Sequence, residues 1–195
     1  MEGTWRRILA VTILSCVAWP GAATPDGTAI DTVKSSIRVH VFQTGLFSAL
    51  AHNHEVGAPV ESGEVTQTGT LSVEFRVDAR KLRVLDPDVS AGDRAKIQNT
   101  MQGPQVLDAD RYSEIHFRCT TVEPHGADHW LVKRNLDLHG QTHPITVEVM
   151  LKDALYRGSA VLKQTAFGIT PVTVAGGTVK VKDELKIDFQ IALSQ

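Results

Sequence analysis

Six stretches of this chain alternate apolar and polar residues with a period of two, and that pattern constrains the fold more than any other feature. In residues 35–42, Ile37, Val39 and Val41 oppose Arg38 and His40; in 71–77, Leu71, Val73, Phe75 and Val77 oppose Ser72, Glu74 and Arg76. Ile115, Phe117 and Cys119 face away from His116 and Arg118, and Trp130, Val132, Leu136 and Leu138 oppose Lys133, Asn135 and Asp137. Ile145, Val147, Val149 and Leu151 oppose Thr146 and Glu148, and Leu185, Ile187, Phe189, Ile191 and Leu193 oppose Lys186, Asp188 and Gln190. Successive strand residues point to opposite faces, so this is the signature of antiparallel strands with one face in a core and one in water. Weaker strands fit 58–67 and 156–164, which brings the total to about eight with no linker, repeat or low-complexity tract between them. The chain is expected to be all-β, a single barrel or sandwich.

The punctuation agrees. His139-Gly140-Gln141-Thr142 stands between two alternating runs, where glycine supplies the positive φ of a tight turn, and residues 153–158 close the next hairpin. Helix is expected in only two places. Residues 90–101 carry Ser90 as N-cap, good helix formers such as Ala91, Arg94, Ala95 and Lys96, and Gly103-Pro104 as a stop. Residues 45–51 form a short apolar segment able to make one or two turns over a barrel mouth.

The first residues form a separate unit. Arg6 and Arg7 precede an apolar run over 8–18, and Gly21, Ala22 and Ala23 follow. A charged start, a short apolar stretch and a small-x-small site describe a secretory signal peptide, while spanning a bilayer takes about 20 apolar residues. Residues 1–23 are therefore expected to be removed, leaving a domain over 24–195 in the periplasm or outside the cell. Ile13-Leu14-Ser15-Cys16 loosely resembles a lipoprotein box, the lesser alternative. No other segment reaches membrane-spanning length. With Cys16 gone, Cys119 is a lone thiol on an apolar face, a small buried hydrophobe rather than half of a disulfide.

Charge and motifs narrow the function. Lysine and arginine number 20 against 22 aspartates and glutamates, a balance without the positive footprint of a nucleic-acid binder. There is no G-x-S-x-G elbow, no H-E-x-x-H helix, and no phosphate-binding or dinucleotide fingerprint. The carboxylates Asp108, Asp110, Glu114, Asp183 and Glu184 have no positioned partner in the sequence and read as solvated turns. The chain is expected to bind rather than catalyse, with no cofactor. Of eight histidines, His52 and His54 are close enough on an extended segment to point one way, with Glu55 adjacent. They suit a metal, or contact with the head of an anionic or quinone-like ligand, although no third metal ligand is set by spacing. His139 and His143 flank a turn and are expected to be exposed.

An eight-stranded barrel has an interior that side chains can just fill or that can hold one small ligand. The inward residues are mostly aliphatic, with Phe75, Phe117, Trp130 and Phe189 on different strands, which is compatible with either outcome.

The order of segments resembles the YceI-like family of bacterial periplasmic proteins. The similarity rests on Ser36-Ile37-Arg38-Val39 leading to Thr44-Gly45-Leu46-Phe47-Ser48, on 69–77 followed by Asp78-Ala79, and on 106–117. It continues through 135–145, Thr165-Ala166-Phe167-Gly168-Ile169 and 181–187. The resemblance implies an extended, lipocalin-like barrel of eight antiparallel strands whose hydrophobic channel holds a polyisoprenoid. The chain departs from the family pattern at Ala51-His52-Asn53-His54-Glu55, beside the expected channel mouth.

Two functions of different kinds follow as expectations. In the first the barrel carries or sequesters an isoprenoid or other long-chain amphiphile. Its candidate contacts are Phe42, Leu46, Phe47, Leu50, His52, His54, Val73, Phe75, Phe117, Trp130, Leu136, Phe167 and Phe189, with the tail in the channel and the head near residues 46–55. In the second, His52 and His54 build a metal or redox site on the barrel. An edge strand of such a fold leaves room for a homodimer.

Overall fold

The structure, a computed structural model, describes residues 27–44, 53–66, 72–119 and 122–195. The expected segment 45–51 and the signal region 1–23 lie outside them. Among the described residues the strands are β1 (Gly27–Thr44), β2 (His54–Gly57), β3 (Ser62–Thr66), β4 (Ser72–Asp78) and β5 (Arg83–Val84), then β6 (Glu114–Cys119) and β7 (Glu123–Pro124). They continue with β8 (His129–Leu138), β9 (Gln141–Lys152), β10 (Leu155–Lys163), β11 (Thr173–Val174) and β12 (Val179–Leu193). Among the described residues one α-helix, α1 (Ala91–Gln102), and three short 3-10 turns interrupt them.

Every pairing is antiparallel, and the order β12-β10-β9-β8-β6-β4-β3-β1 closes on itself through a long β1–β12 ladder. That ring is an eight-stranded barrel, one of the two architectures the alternation allows and the one the family resemblance implies. Ile37, Val65, Val77, Phe117, Val132, Leu136, Val147, Ala160 and Ile191 are buried on its inner face. Closure leaves the barrel itself no edge.

Two local departures from the expected strands have simple causes. Residues 58–67 are not one strand: the chain pairs with β1 as β2, breaks at Pro59, and resumes as β3. Proline has no N–H to continue a ladder. The hairpin between β9 and β10 is tighter than 153–158, because Asp153 and Ala154 both adopt positive φ, 52° and 59°, and form a two-residue turn. His139 and Gly140 do the same between β8 and β9, at 51° and 70°.

Gly158 faces inward on β10, opposite Phe189 of β12. A Cβ there would sit 2.0 Å from the Glu148 carbonyl oxygen and 2.6 Å from the Phe189 ring, so only glycine admits that ring to the barrel. Helix α1 begins as expected: Ser90 Oγ accepts from the Asp93 N–H at 3.1 Å. It has no fully buried residue; Ile97 and Met101 pack against the core, and two glutamines tie the helix to the backbone beside β5. Gln98 accepts from Val84 N–H and donates to Leu82 O, while Gln102 donates to Arg80 O. Those bonds extend the short edge formed by β5.

Candidate functional site

The barrel is not packed solid. Its inward side chains surround a cavity of about 570 Å³, within the span of roughly 300–1,000 Å³ typical of small-molecule sites. Each wall strand contributes alternate residues: Ile37, Val39 and Val41 from β1; Val73, Phe75 and Val77 from β4; Val132, Leu136 and Leu138 from β8; Ile145, Val147 and Val149 from β9; Leu185, Ile187, Phe189 and Ile191 from β12. Period-two geometry thus makes one apolar surface from residues far apart in sequence. The Phe75 and Phe117 rings stack across β4 and β6 with centroids 5.1 Å apart.

The two ends of the cavity differ in chemistry. At one end Trp130 and Tyr156 face each other at 6.0 Å, on strand positions that pair with Val149, Leu151 and Ile191. At the other the lining includes Gln43, His54 and Gln164. Gln43 pairs with Val181, His54 pairs with Val41, and Gln164 directly follows Lys163, the residue paired with Glu184. These registers bring the three polar side chains to one end of the barrel. Lys96, Ile97, Thr100 and Met101 of α1 line the cavity as well.

His54 stands at the boundary between this cavity and an outer depression lined by His40, Phe42, Asn53, Glu55, Asp86, Pro87, Asp88 and Val89. The β2–β5 ladder pairs Val56 with Val84, and continuing its register sets Asp86 across from His54. Asp86 is buried, its side chain 6% exposed. One carboxylate oxygen lies 2.6 Å from His54 Nδ1 and the other accepts from Glu55 N–H at 2.8 Å. His54 Nε2 lies 3.1 Å from the Gln43 side-chain nitrogen. Gln164 donates to Lys182 O at 2.8 Å, and the turn it opens is tied to β12 by Asp183, which accepts from the Thr165 N–H and hydroxyl. Those two donors hold the Asp183 carboxyl below its ordinary pKa.

Of the candidate contacts read from the sequence, Val73, Phe75, Phe117, Trp130, Leu136, Phe189 and His54 line the cavity. Leu46, Phe47, Leu50 and His52 lie outside the described residues. Two assignments are corrected. Phe42 has the parity of His40, so it faces the outer depression, with the Lys182 ammonium 5.9 Å from its ring centroid. Phe167 is buried but does not line the cavity; the short helical turn that carries it sets its ring edge-on to His143 at 5.3 Å. His139 and His143 are also corrected, since both are partly buried. His139 Nδ1 lies 3.0 Å from Phe167 O, and its ring packs on Tyr112 at 4.6 Å. Nor does outward parity leave His116 exposed: it is buried beneath Glu74 and Arg118.

Sequence reasoning passed over Asp86, Gln43, Gln164, Tyr156 and the α1 residues. A two-residue strand has no periodicity to detect, so nothing in the sequence announced the partner of His54. Parity within β1 could have found Gln43, which continues the series Ile37, Val39, Val41. Among the described residues no group of three or more His, Cys, Asp or Glu is placed to hold a metal ion.

Comparison with known proteins decides the family. The YceI-like domain model matches residues 29–193, nearly the whole barrel. The chain belongs to the YceI-like family. A UPF0312 protein of Vibrio cholerae serotype O1 is 27% identical over 195 residues, covering 94% of this chain and 97% of that one. Among solved structures, Burkholderia cenocepacia BcnA superposes with a TM-score of 0.57 at 18% identity, over 85% of this chain and 99% of its own. A polyisoprenoid binding domain from Saccharophagus degradans, implicated in plant cell wall breakdown, superposes with a TM-score of 0.55 at 13% identity, over 84% and 95%. At those identities the two structures establish the YceI-like fold of this chain and nothing finer.

Proposed function

We propose that this YceI-like protein is an exported carrier that holds the tail of a polyisoprenoid, or of a similar long-chain amphiphile, inside its barrel. The observation that carries the reading is the 570 Å³ cavity with walls of valine, isoleucine, leucine and phenylalanine. A chain threaded into it exchanges water for apolar contact, and each buried methylene contributes roughly 0.8 kcal/mol. A flexible, branched chain suits walls built mostly of aliphatic side chains with scattered rings. The polar residues gathered at one end fit an amphiphile with a single head, and the Trp130–Tyr156 end receives the tail. The polyisoprenoid named for the Saccharophagus degradans domain accords with this chemistry. Binding rather than catalysis is the role, and carriage between membranes or sequestration is its use.

Export to the periplasm or beyond is part of the proposal and rests on Arg6, Arg7, the apolar run over 8–18 and the small residues at 21–23. The test is a titration with a fluorescent apolar probe and its displacement by prenyl chains of increasing length. Uptake of the probe and displacement that strengthens with chain length are expected. A barrel that takes up no probe contradicts the reading.

A further inference from the structure

The polar end of the cavity constrains what head the amphiphile can carry. Asp86 spends one carboxylate oxygen on Glu55 N–H and the other on His54 Nδ1, which therefore carries the proton. In the neutral ring His54 Nε2 is then an acceptor, and the Gln43 side-chain nitrogen 3.1 Å away donates to it. Both groups stand on the cavity wall. The wall thus presents an acceptor and a donor already bonded to each other, and a ligand group that parts them must replace both sides of that bond.

We infer that His54 and Gln43, with Asp86 as the positioning residue, recognise a hydroxyl head: the ligand is a long-chain alcohol or phenol rather than a quinone or a phosphate ester. A hydroxyl inserted between the two donates its proton to His54 Nε2 and accepts from the Gln43 amide. A quinone carbonyl is an acceptor only and satisfies the amide alone. A phosphate or diphosphate is acceptor-only at its ionised oxygens and meets an unfavourable field. Among the described residues the depression behind His54 is lined by three carboxylates, Glu55, Asp86 and Asp88, against the single ammonium of Lys182 that sits over the Phe42 ring of the same lining. The nearby Arg38 is paired with Glu55, and Lys96 of the cavity lining is paired with Asp93 at 2.8 Å.

The inference rests on the channel reading above, and the test separates the two. Geranylgeraniol, a naphthoquinone bearing the same prenyl chain, geranylgeranyl diphosphate and the branched hydrocarbon phytane are compared as displacers of the apolar probe on the full chain. The hydroxyl makes two hydrogen bonds and displaces the His54–Gln43 bond, a net gain of one bond of ordinary strength, so the alcohol is expected to bind about five- to tenfold more tightly than the hydrocarbon. His54→Phe removes the acceptor and Gln43→Met removes the donor. Each is expected to bring the ratio of alcohol to hydrocarbon affinity toward one, a change that general loosening of the barrel, which weakens both ligands together, does not produce. Gln43→Met keeps the test open should His54→Phe leave Asp86 unpaired and the protein unfolded. Two results overturn the hydroxyl assignment while sparing the channel: a diphosphate or quinone that binds more tightly than the alcohol, or an alcohol preference that survives both substitutions. If no prenyl compound binds, hydrocarbon included, the channel reading falls and the head assignment with it.

Discussion

His54 and Asp86 meet at 2.6 Å where the apolar cavity gives way to the surface, the carboxylate buried and the imidazole shared between the two environments. Asp86 also closes the start of β2 by accepting from Glu55 N–H. Replacing it by alanine leaves two partly buried donors without their acceptor, each costing about 1–2 kcal/mol, the lower part of the range for buried groups. Asp86→Ala is therefore expected to lower stability by about 2–4 kcal/mol in urea denaturation. Asp86→Asn, which keeps an acceptor for Glu55 N–H, should cost less than half of that.

Filling the cavity should uncouple binding from folding. Ala160 lines it from β10, so a phenylalanine ring there would occupy part of the cavity's volume. Ala160→Phe is expected to weaken probe and prenyl-chain binding by at least about tenfold, the loss of roughly two buried methylenes' worth of contact. The thermal midpoint should hold or rise. Probe titration alongside thermal denaturation checks both.

Gly158 supplies a control of opposite kind. Because its Cβ would collide with the Glu148 carbonyl oxygen and the Phe189 ring, Gly158→Ala must push β10 away from its neighbours. A loss of about 1–3 kcal/mol is expected, as for other overpacked cores, measured by urea denaturation. Gly140→Ala should cost a comparable amount, since its φ of 70° disfavours a side chain and its Cβ would sit 2.6 Å from Tyr112.

Acid should remove one specific contribution. The Arg80 guanidinium bonds both oxygens of Asp78, and the Arg80 N–H adds a third bond, holding the carboxyl down to about 2. A carboxyl depressed in the folded state stabilises the fold above its unfolded value near 4, and that stabilisation is lost as pH falls toward 2. Since Arg80 is largely exposed, solvent screening keeps that contribution modest. Asp78→Asn should therefore be less stable than the parent at pH 6, and the gap should close by pH 2. Urea denaturation at the two values measures it.

The barrel was legible because its signal is long-range and redundant. Ile37, Val39 and Val41, or Leu185 through Leu193, declare their facing without knowledge of any partner, and the wall residues Val73, Phe75, Phe117, Trp130, Leu136 and Phe189 follow from parity alone. The polar end was only half legible. His54 stood out by its chemistry, but Asp86 reaches it through a strand of two residues, too short for any period to register. Phe42 and Phe167 misled for the complementary reason: bulk and apolarity suggested the cavity, while parity sent one outward and a helical turn gave the other to His143. Whether the interior was packed or hollow turned on how side chains of nearly equal size pack around the ring, and residue types alone do not decide that.

The most direct measurement is mass spectrometry of whatever organic solvent extracts from the purified full chain. A long prenyl compound with a terminal or phenolic hydroxyl, near one per protein, is the expected result. A barrel that is consistently empty and takes up no apolar probe would contradict the account.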